Sequence, residues 1–329
     1  MSLKCRICSN MDGNVSYEVR EMMFGTLEEF EYFKCGRCGC LQIKEIPENL
    51  NAYYPKDYYS FVGYSKYSKR ARRGLKRWFD TMRLEYHITG RGLVGRLAAL
   101  RVKPPKYIVW VRETGISRDS RILDVGCGSG KLLVKMSLAG FRQCTGIDQF
   151  IEKSVEYPGG VKVIRQDLSS LAEDTEEKFD LVMFHHSYEH VPDPYSTLQA
   201  AARLITPGGW ILMEIPLSDS EAWETYRERW VQLDAPRHLY LHTRRSMELL
   251  AAHAGLCIKK VVYDSSEFQF LGSELYTRGV PLTAAKKKKL TNFFNKREIQ
   301  AFKERAKEVN NLGRGDQATF FMVRKECNP

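Results

Sequence analysis

The sequence contains no run of about 18 apolar residues, the length that spans a bilayer, and no apolar leader of signal-peptide type at its start. These absences predict a cytoplasmic protein, where thiols stay reduced. The nine cysteines are then thiols or metal ligands rather than disulfides. Acidic residues are scarce in two stretches. Residues 61–121 carry a net charge of +12 and residues 271–329 carry +7, against −2 for residues 1–60 and −6 for residues 122–270. With 43% apolar residues over 329 positions, the chain can bury a sizeable core and still carry extensions.

Residues 121–130 read Arg-Ile-Leu-Asp-Val-Gly-Cys-Gly-Ser-Gly. Ile122, Leu123 and Val125 suit a buried parallel strand, and Gly126, Gly128 and Gly130 let the backbone turn tightly and approach a ligand. A helix from Lys131 onward then points free N–H groups into the same cleft. A glycine is missing for the dinucleotide fingerprint G-x-G-x-x-G, which from Gly126 wants glycine at 131. Asp124 also disfavours a pyrophosphate, because like charges repel in a closed site. It suits a ligand with an ammonium group. S-adenosylmethionine (SAM) has one, and no phosphate.

Here the chain resembles the class I SAM-dependent methyltransferases, and later matches follow that family's order. Gly146-Ile147-Asp148 ends the next strand, with Asp148 eighteen residues past Gly130. The resemblance implies that Asp148 takes the ribose hydroxyls, since a carboxylate accepts two hydrogen bonds from a diol. It also implies that Asp167, ending the third strand, holds the adenine amino group. Cys127, Gln149, Leu168 and His185 complete the implied cofactor set with Asp124 and the three glycines. Residues 179–186 look like the fourth strand and 204–216 like the fifth. Residues 256–264 and 317–323 look like an antiparallel sixth and seventh, separated by a helical insertion at about 272–314 with a helix over 298–309. The expected fold is α/β: a Rossmann-like core over residues 115–329 with a seven-stranded, mostly parallel sheet.

Ahead of the core stand Cys5-x-x-Cys8 and Cys35-x-x-Cys38. Thiolates so spaced bind one tetrahedral Zn²⁺ with no open position, a structural site. The 26 residues between the pairs exceed the usual 15–20 and imply a long hairpin in a zinc-ribbon-like module over residues 1–60. Unrelated cytosolic cysteines are the plain alternative. Residues 52–61 are densely aromatic and either line a pocket or seal the module to the core. A zinc module, a tyrosine-rich linker and a class I core together resemble bacterial methyltransferases acting on sugar nucleotides and glycans. In the sugar C-methyltransferases among them a linker tyrosine reaches the active site; Tyr59 is the nearest match, with Tyr58 beside it. Their loop after the fifth strand carries an acid–histidine pair whose histidine is the proposed base. Here His238 is kept, but Pro236-Arg237 precedes it. Related quinone-pathway O-methyltransferases carry Glu-x-x-Glu-His after the fourth strand, a divalent-cation pattern. In this chain His186 replaces the first acid ahead of Glu189 and His190, which disfavours Mg²⁺ and leaves two readings: a softer metal on His186, Glu189 and His190, or capping and packing by Glu189 and His190. The catalytic candidates are His238, His186 and Tyr59.

Residues 61–114 form a basic helical segment. Leu75, Trp78, Phe79 and Met82 recur at helical spacing behind a cluster of Lys69, Arg70, Arg72, Arg73, Lys76 and Arg77. Such a face is either simply solvated or meets an anionic membrane surface, a phosphorylated acceptor or RNA. The function expected is methyl transfer from SAM to a sugar, glycan or related small molecule, in the cytoplasm or at the inner membrane face. An RNA methyltransferase and a non-catalytic SAM- and zinc-binding scaffold are the alternatives. Against RNA, no Asn/Ser/Asp-Pro-Pro-aromatic motif follows the fourth strand, and no Pro-Cys or Thr-Cys nucleophile is present.

Overall fold

A computed structural model of the chain describes residues 3–55, 75–100, 104–286, 288 and 290–325. Tyr58, Tyr59, Lys69, Arg70, Arg72 and Arg73 lie outside the described residues. The chain divides into two compact units, one of residues 56–185 and 200–212, the other of residues 1–55, 186–199 and 213–329.

The strands are β1 (Val15–Arg20), β2 (Glu29–Lys34), β3 (Leu41–Ile43), β4 (Arg121–Val125), β5 (Gln143–Ile147), β6 (Val155–Tyr157), β7 (Val161–Ile164), β8 (Phe179–His185), β9 (Ile205–Pro216), β10 (Tyr240–Leu241), β11 (Leu256–Tyr263) and β12 (Gln317–Arg324). They form two sheets, one in the order β1-β2-β3-β10, the other β11-β12-β9-β8-β4-β5-β7-β6. Strand β4 runs parallel to β5 and β8, and β5 to β7, whereas β11 and β12 are antiparallel. This is the expected Rossmann-like methyltransferase fold with one strand more. The addition is β6, antiparallel on β7. A turn through Gly159 and Gly160, at φ of 93° and 80°, returns the chain between them, a conformation that glycine adopts without strain. Three residues, Val-Glu-Tyr, carry too short a pattern to announce a strand.

In the unit built on residues 56–185, Ile122 and Leu123 of β4 and Leu181, Val182, Met183 and Phe184 of β8 are all buried. Consecutive burial of this kind marks strands covered on both faces. The helix Lys131–Leu138 starts at Gly130 and buries Leu133, Val134 and Met136. Upstream, helix Leu93–Ala99 packs on helix Leu75–Thr89 so tightly that a Cβ on Gly95 would overlap the Met82 carbonyl. The other unit buries Tyr32, Phe33, Trp223, Trp230, Leu239 and Tyr240. Its helix Arg244–His253 opens on Thr243, whose side chain accepts the Ser246 amide at 3.0 Å and so caps the first turn. The helix Lys296–Asn311 falls inside the expected insertion and starts on a capping box of Asn295 and Glu298.

Candidate active site

The glycine loop is built by backbone. Gly126, Gly128 and Gly130 all have positive φ, at 72°, 54° and 72°. The Gly126 and Cys127 amides donate to the Ile147 carbonyl, and the Gly128 amide to Asp148 Oδ2 at 2.9 Å. Asp148 Oδ1 also accepts the Phe150 amide at 2.8 Å, so the acid is oriented by the loop it faces. Gln149, next to it, is exposed. Asp124 is buried, and its Oδ1 has no hydrogen-bond partner among the described residues. Burial and then the Asp148 charge push its carboxyl well above the usual carboxylate range. An ammonium donor would answer both conditions. SAM therefore fits this loop by an orphaned buried acceptor as well as by its glycines. Burial, with Asp124 and Asp148 behind it, raises the Cys127 thiol, so it is no nucleophile.

Asp167 caps the helix Leu168–Asp174 through the Ser170 amide and hydroxyl, at 3.0 and 2.7 Å, and these bonds hold it below its ordinary range. It stays ionised and has lone pairs to spare. Leu168 is buried beneath it, and His185 ends β8 edge-on to Trp110, ring centroids 5.5 Å apart.

The second unit holds a histidine–carboxylate cluster. His186, at φ 54°, sits between Glu189 Oε1 at 3.7 Å and Glu214 Oε1 at 3.2 Å. Burial would lower its pKa, but the two carboxylates raise it to about 10. His238 is buried, with Nδ1 2.7 Å from the Gln232 carbonyl. A carbonyl only accepts, so Nδ1 carries the proton and Nε2 the lone pair. That Nε2 lies 3.9 Å from Glu189 Oε1 and 3.8 Å from Asp234 Oδ2. Burial first and His190 second push His238 down to about 4, which leaves the ring neutral at physiological pH. The Arg237 guanidinium is fully engaged with Glu21 at 2.7 Å and Asp234 at 2.6 Å, itself buried. Those two carboxylates make it a structural group.

His190 Nδ1 donates to the Arg237 carbonyl at 2.8 Å, and Tyr54 Oη lies 3.2 Å from the same nitrogen. Neither oxygen of the buried Glu189 has a hydrogen-bond partner among the described residues. Burial would raise its pKa, yet His186, His190 and His238 hold it at about 2. Sequence reasoning left Glu189 and His190 between a metal site and packing, and sought the acid directly before His238. The acid present is Asp234, one turn earlier, returned to the imidazole because the Arg237 and His238 amides both donate to its carbonyl. Among the described residues the tyrosine brought to the cluster is Tyr54, and only its place in the aromatic run hinted at that.

Cys5, Cys8, Cys35 and Cys38 put their ligand atoms within 4.8 Å of one another, with Cys5–Cys38 and Cys8–Cys35 sulfurs 3.6 and 3.5 Å apart. Four sulfurs at about 2.3 Å from a tetrahedral Zn²⁺ would be spaced much like this. The residues fit that ion. Glu189, His190 and His238 form another set within 4.8 Å, of a composition that divalent ions also use.

A parallel sheet with a strand–glycine–helix loop and an acid ending the next strand defines a nucleoside-cofactor site of the methyltransferase class. A family model described as a methyltransferase domain matches residues 97–261, just over half of the chain, and the chain belongs to the SAM-dependent methyltransferases. It is 40% identical over 116 residues to a ubiquinone biosynthesis O-methyltransferase of Bordetella bronchiseptica, covering 32% of this chain and 47% of that protein. The protein of the same name from Serratia proteamaculans is 32% identical over 130 residues, covering 37% and 54%. The chain spans about half the length of the curated relatives it matches. A SAM-dependent methyltransferase structure from Archaeoglobus fulgidus aligns with 67% of this chain and all of its own, at 17% identity and a TM-score of 0.40.

Proposed function

We propose that this protein transfers the methyl group of SAM to a hydroxyl of a sugar- or glycan-type small molecule. The observation that carries this reading is the cluster of Glu189, Asp234, His190 and His238, in which neither buried Glu189 oxygen has a hydrogen bond among the described residues and its ion-pair partner His186 stands 3.7 Å away. Such a set matches a ligand that brings hydroxyl donors and repels a phosphate at the reacting end. The names of the curated relatives support oxygen as the receiving atom.

When bound, SAM supplies a methyl group on a sulfonium. Asp124 would take its ammonium, Asp148 its ribose hydroxyls and Asp167 its adenine amino group. On the acceptor side His238 Nε2 takes the hydroxyl proton while Nδ1–H stays on the Gln232 carbonyl. The imidazolium so formed is favoured by Glu189 and Asp234, each within 4 Å of Nε2. The ring's low pKa makes it a late base, useful once methyl transfer has acidified the oxygen. Cys5, Cys8, Cys35 and Cys38 would hold Zn²⁺ with no open position, a structural role.

The deciding experiment incubates the protein with methyl-labelled SAM and fractionated bacterial extract. Label in a sugar-nucleotide or glycan fraction supports the reading. Label in RNA, or in a quinone or other lipid, overturns the acceptor class, and label nowhere leaves a SAM-binding scaffold.

A second reading concerns location. Leu93, Leu97 and Leu100 are 78%, 68% and 76% exposed, at i, i+4 and i+7 beside the exposed Arg91 and Arg96. Leucines flanked by arginines favour an anionic lipid surface over RNA, which gives exposed leucine nothing to bury against. Sedimentation with vesicles containing phosphatidylglycerol, and its loss in Leu97→Asp, tests this.

A further inference from the structure

The loop that carries His238 has little structure of its own. Asp234 opens it in a left-handed conformation, at φ 38°, and β10 closes it with two residues. Besides His190 on the Arg237 carbonyl and the Leu239 amide on the Glu189 carbonyl, both at 2.8 Å, what fixes it comes from the cysteine module. Tyr240 and Leu241 pair with Gln42 and Leu41 of β3, and the Ile43 amide donates to the Leu239 carbonyl at 3.0 Å. Tyr32 Oη donates to the carbonyl of His238 itself at 2.9 Å, both groups buried. Glu21, one residue past β1, grips Arg237 while also accepting the Phe24, Gly25 and Thr26 amides. Thr243 Oγ1 donates to the Cys38 carbonyl at 2.6 Å.

The cysteines are tied to the same strands. Gln42, opposite Tyr240 in the ladder, donates through Nε2 to Cys5 Sγ at 3.2 Å and accepts the Arg6 amide at 3.0 Å. Arg6 in turn donates to Tyr240 Oη at 2.9 Å. The path from a metal-ligating sulfur to the base-bearing loop is therefore one side chain and one strand pair long.

We propose that the cysteine centre is the positioning device of His238, with Tyr32, Glu21 and Gln42 as positioning residues that act on the imidazole through its own backbone. The proposal rests on reading His238 as the base. Alignment within a few tenths of an ångström matters for such a group, because a misplaced base forfeits much of its rate. Metal loss would release β3, then β10, then the carbonyl of His238, without touching the glycine loop's own bonds.

The test uses the full-length zinc-loaded chain with ¹⁵N-labelled histidine at pH 7.5, the His238 signal being assigned by its absence in His238→Gln. In the wild type this signal should show a single Nδ1–H tautomer. Tyr32→Phe keeps the ring and removes one hydrogen bond. It should give averaged tautomer shifts, speed amide exchange over residues 234–243 at least tenfold, and leave the S-adenosylhomocysteine dissociation constant within twofold. Stripping zinc with 1,10-phenanthroline should do the same, reversed by added Zn²⁺. Glu21→Gln, which keeps the side chain's shape, serves if Tyr32→Phe does not fold. Unchanged tautomer and exchange in the variant and the stripped protein would overturn the proposal, even if the melting point falls. A released loop with undiminished methyl transfer would instead overturn the base assignment and leave the anchoring intact.

Discussion

The glycine loop and the histidine cluster reach their geometry by opposite routes. The loop draws on residues 124–130 and on Asp148, and its fixed contacts are backbone amides to a carbonyl and a carboxylate. The cluster draws on Tyr54, His186, Glu189, His190, Asp234 and His238, held by side chains spread over most of the chain. A loop made of backbone tolerates sequence change in its surroundings and suits a cofactor that never varies. A cluster made of dispersed side chains alters with each substitution and suits a site whose specificity is set residue by residue. If this division is real, damage to one region should be silent in the other.

The strongest way to break it is His238→Ala. Loss of a general base should lower methyl transfer about 10²–10⁴-fold, measured as label reaching the acceptor fraction, while S-adenosylhomocysteine binds as in the wild type. His238→Asn, unable to take the proton, should be nearly as slow. The converse is Asp148→Ala, which removes a carboxylate acceptor and should weaken S-adenosylhomocysteine by roughly ten- to a hundredfold by calorimetry. The His238 tautomer should not change. Gly130→Ala comes next. It forces a Cβ to 2.5 Å from Val163 Cγ2 at a positive φ, and should cost about 1–3 kcal/mol of stability in denaturant titration.

The effect spread over the widest range of conditions is on pH. His238 and His242 are lowered to about 4, chiefly by burial, and His186 is raised to about 10 by Glu189 and Glu214 against its own burial. Below the unfolded value of about 6.5, the unfolded chain takes up protons that folded His238 and His242 refuse, so their contribution falls as pH drops toward 4. Above it, folded His186 keeps a proton that the unfolded chain releases, so its contribution falls as pH rises toward 10. Melting temperature against pH should show a maximum near 6.5. In His186→Ala the alkaline limb should flatten and the acid limb remain.

The two regions were not equally legible in the sequence. Glycines and an acid at fixed spacing announce a strand–loop–helix because each residue is there for a local backbone reason, so β4, β5, β8 and the helix after Gly130 could be placed from the chain alone. The paired cysteines could be read for the same reason. Asp234 could not be tied to His238, since a turn and not a motif brings an acid back four residues. Nor could Tyr54 be told from its neighbouring tyrosines, because which ring faces His190 depends on how Leu50–Tyr53 turns. Strand β10 was invisible at two residues, and its partner stands about two hundred positions upstream.

That last pairing has a consequence for how the protein is made. During synthesis β3 emerges early, with one edge paired to β2 and the other open until residues 240 and 241 leave the ribosome. At 5–20 residues per second the exposed edge persists for roughly 10–40 seconds. Unpaired strand edges invite association with other chains. The module thus spends its first moments as a template without its strand. Fragments ending before residue 240 should be the aggregating ones, and supplying the peptide of residues 232–245 in trans should rescue them.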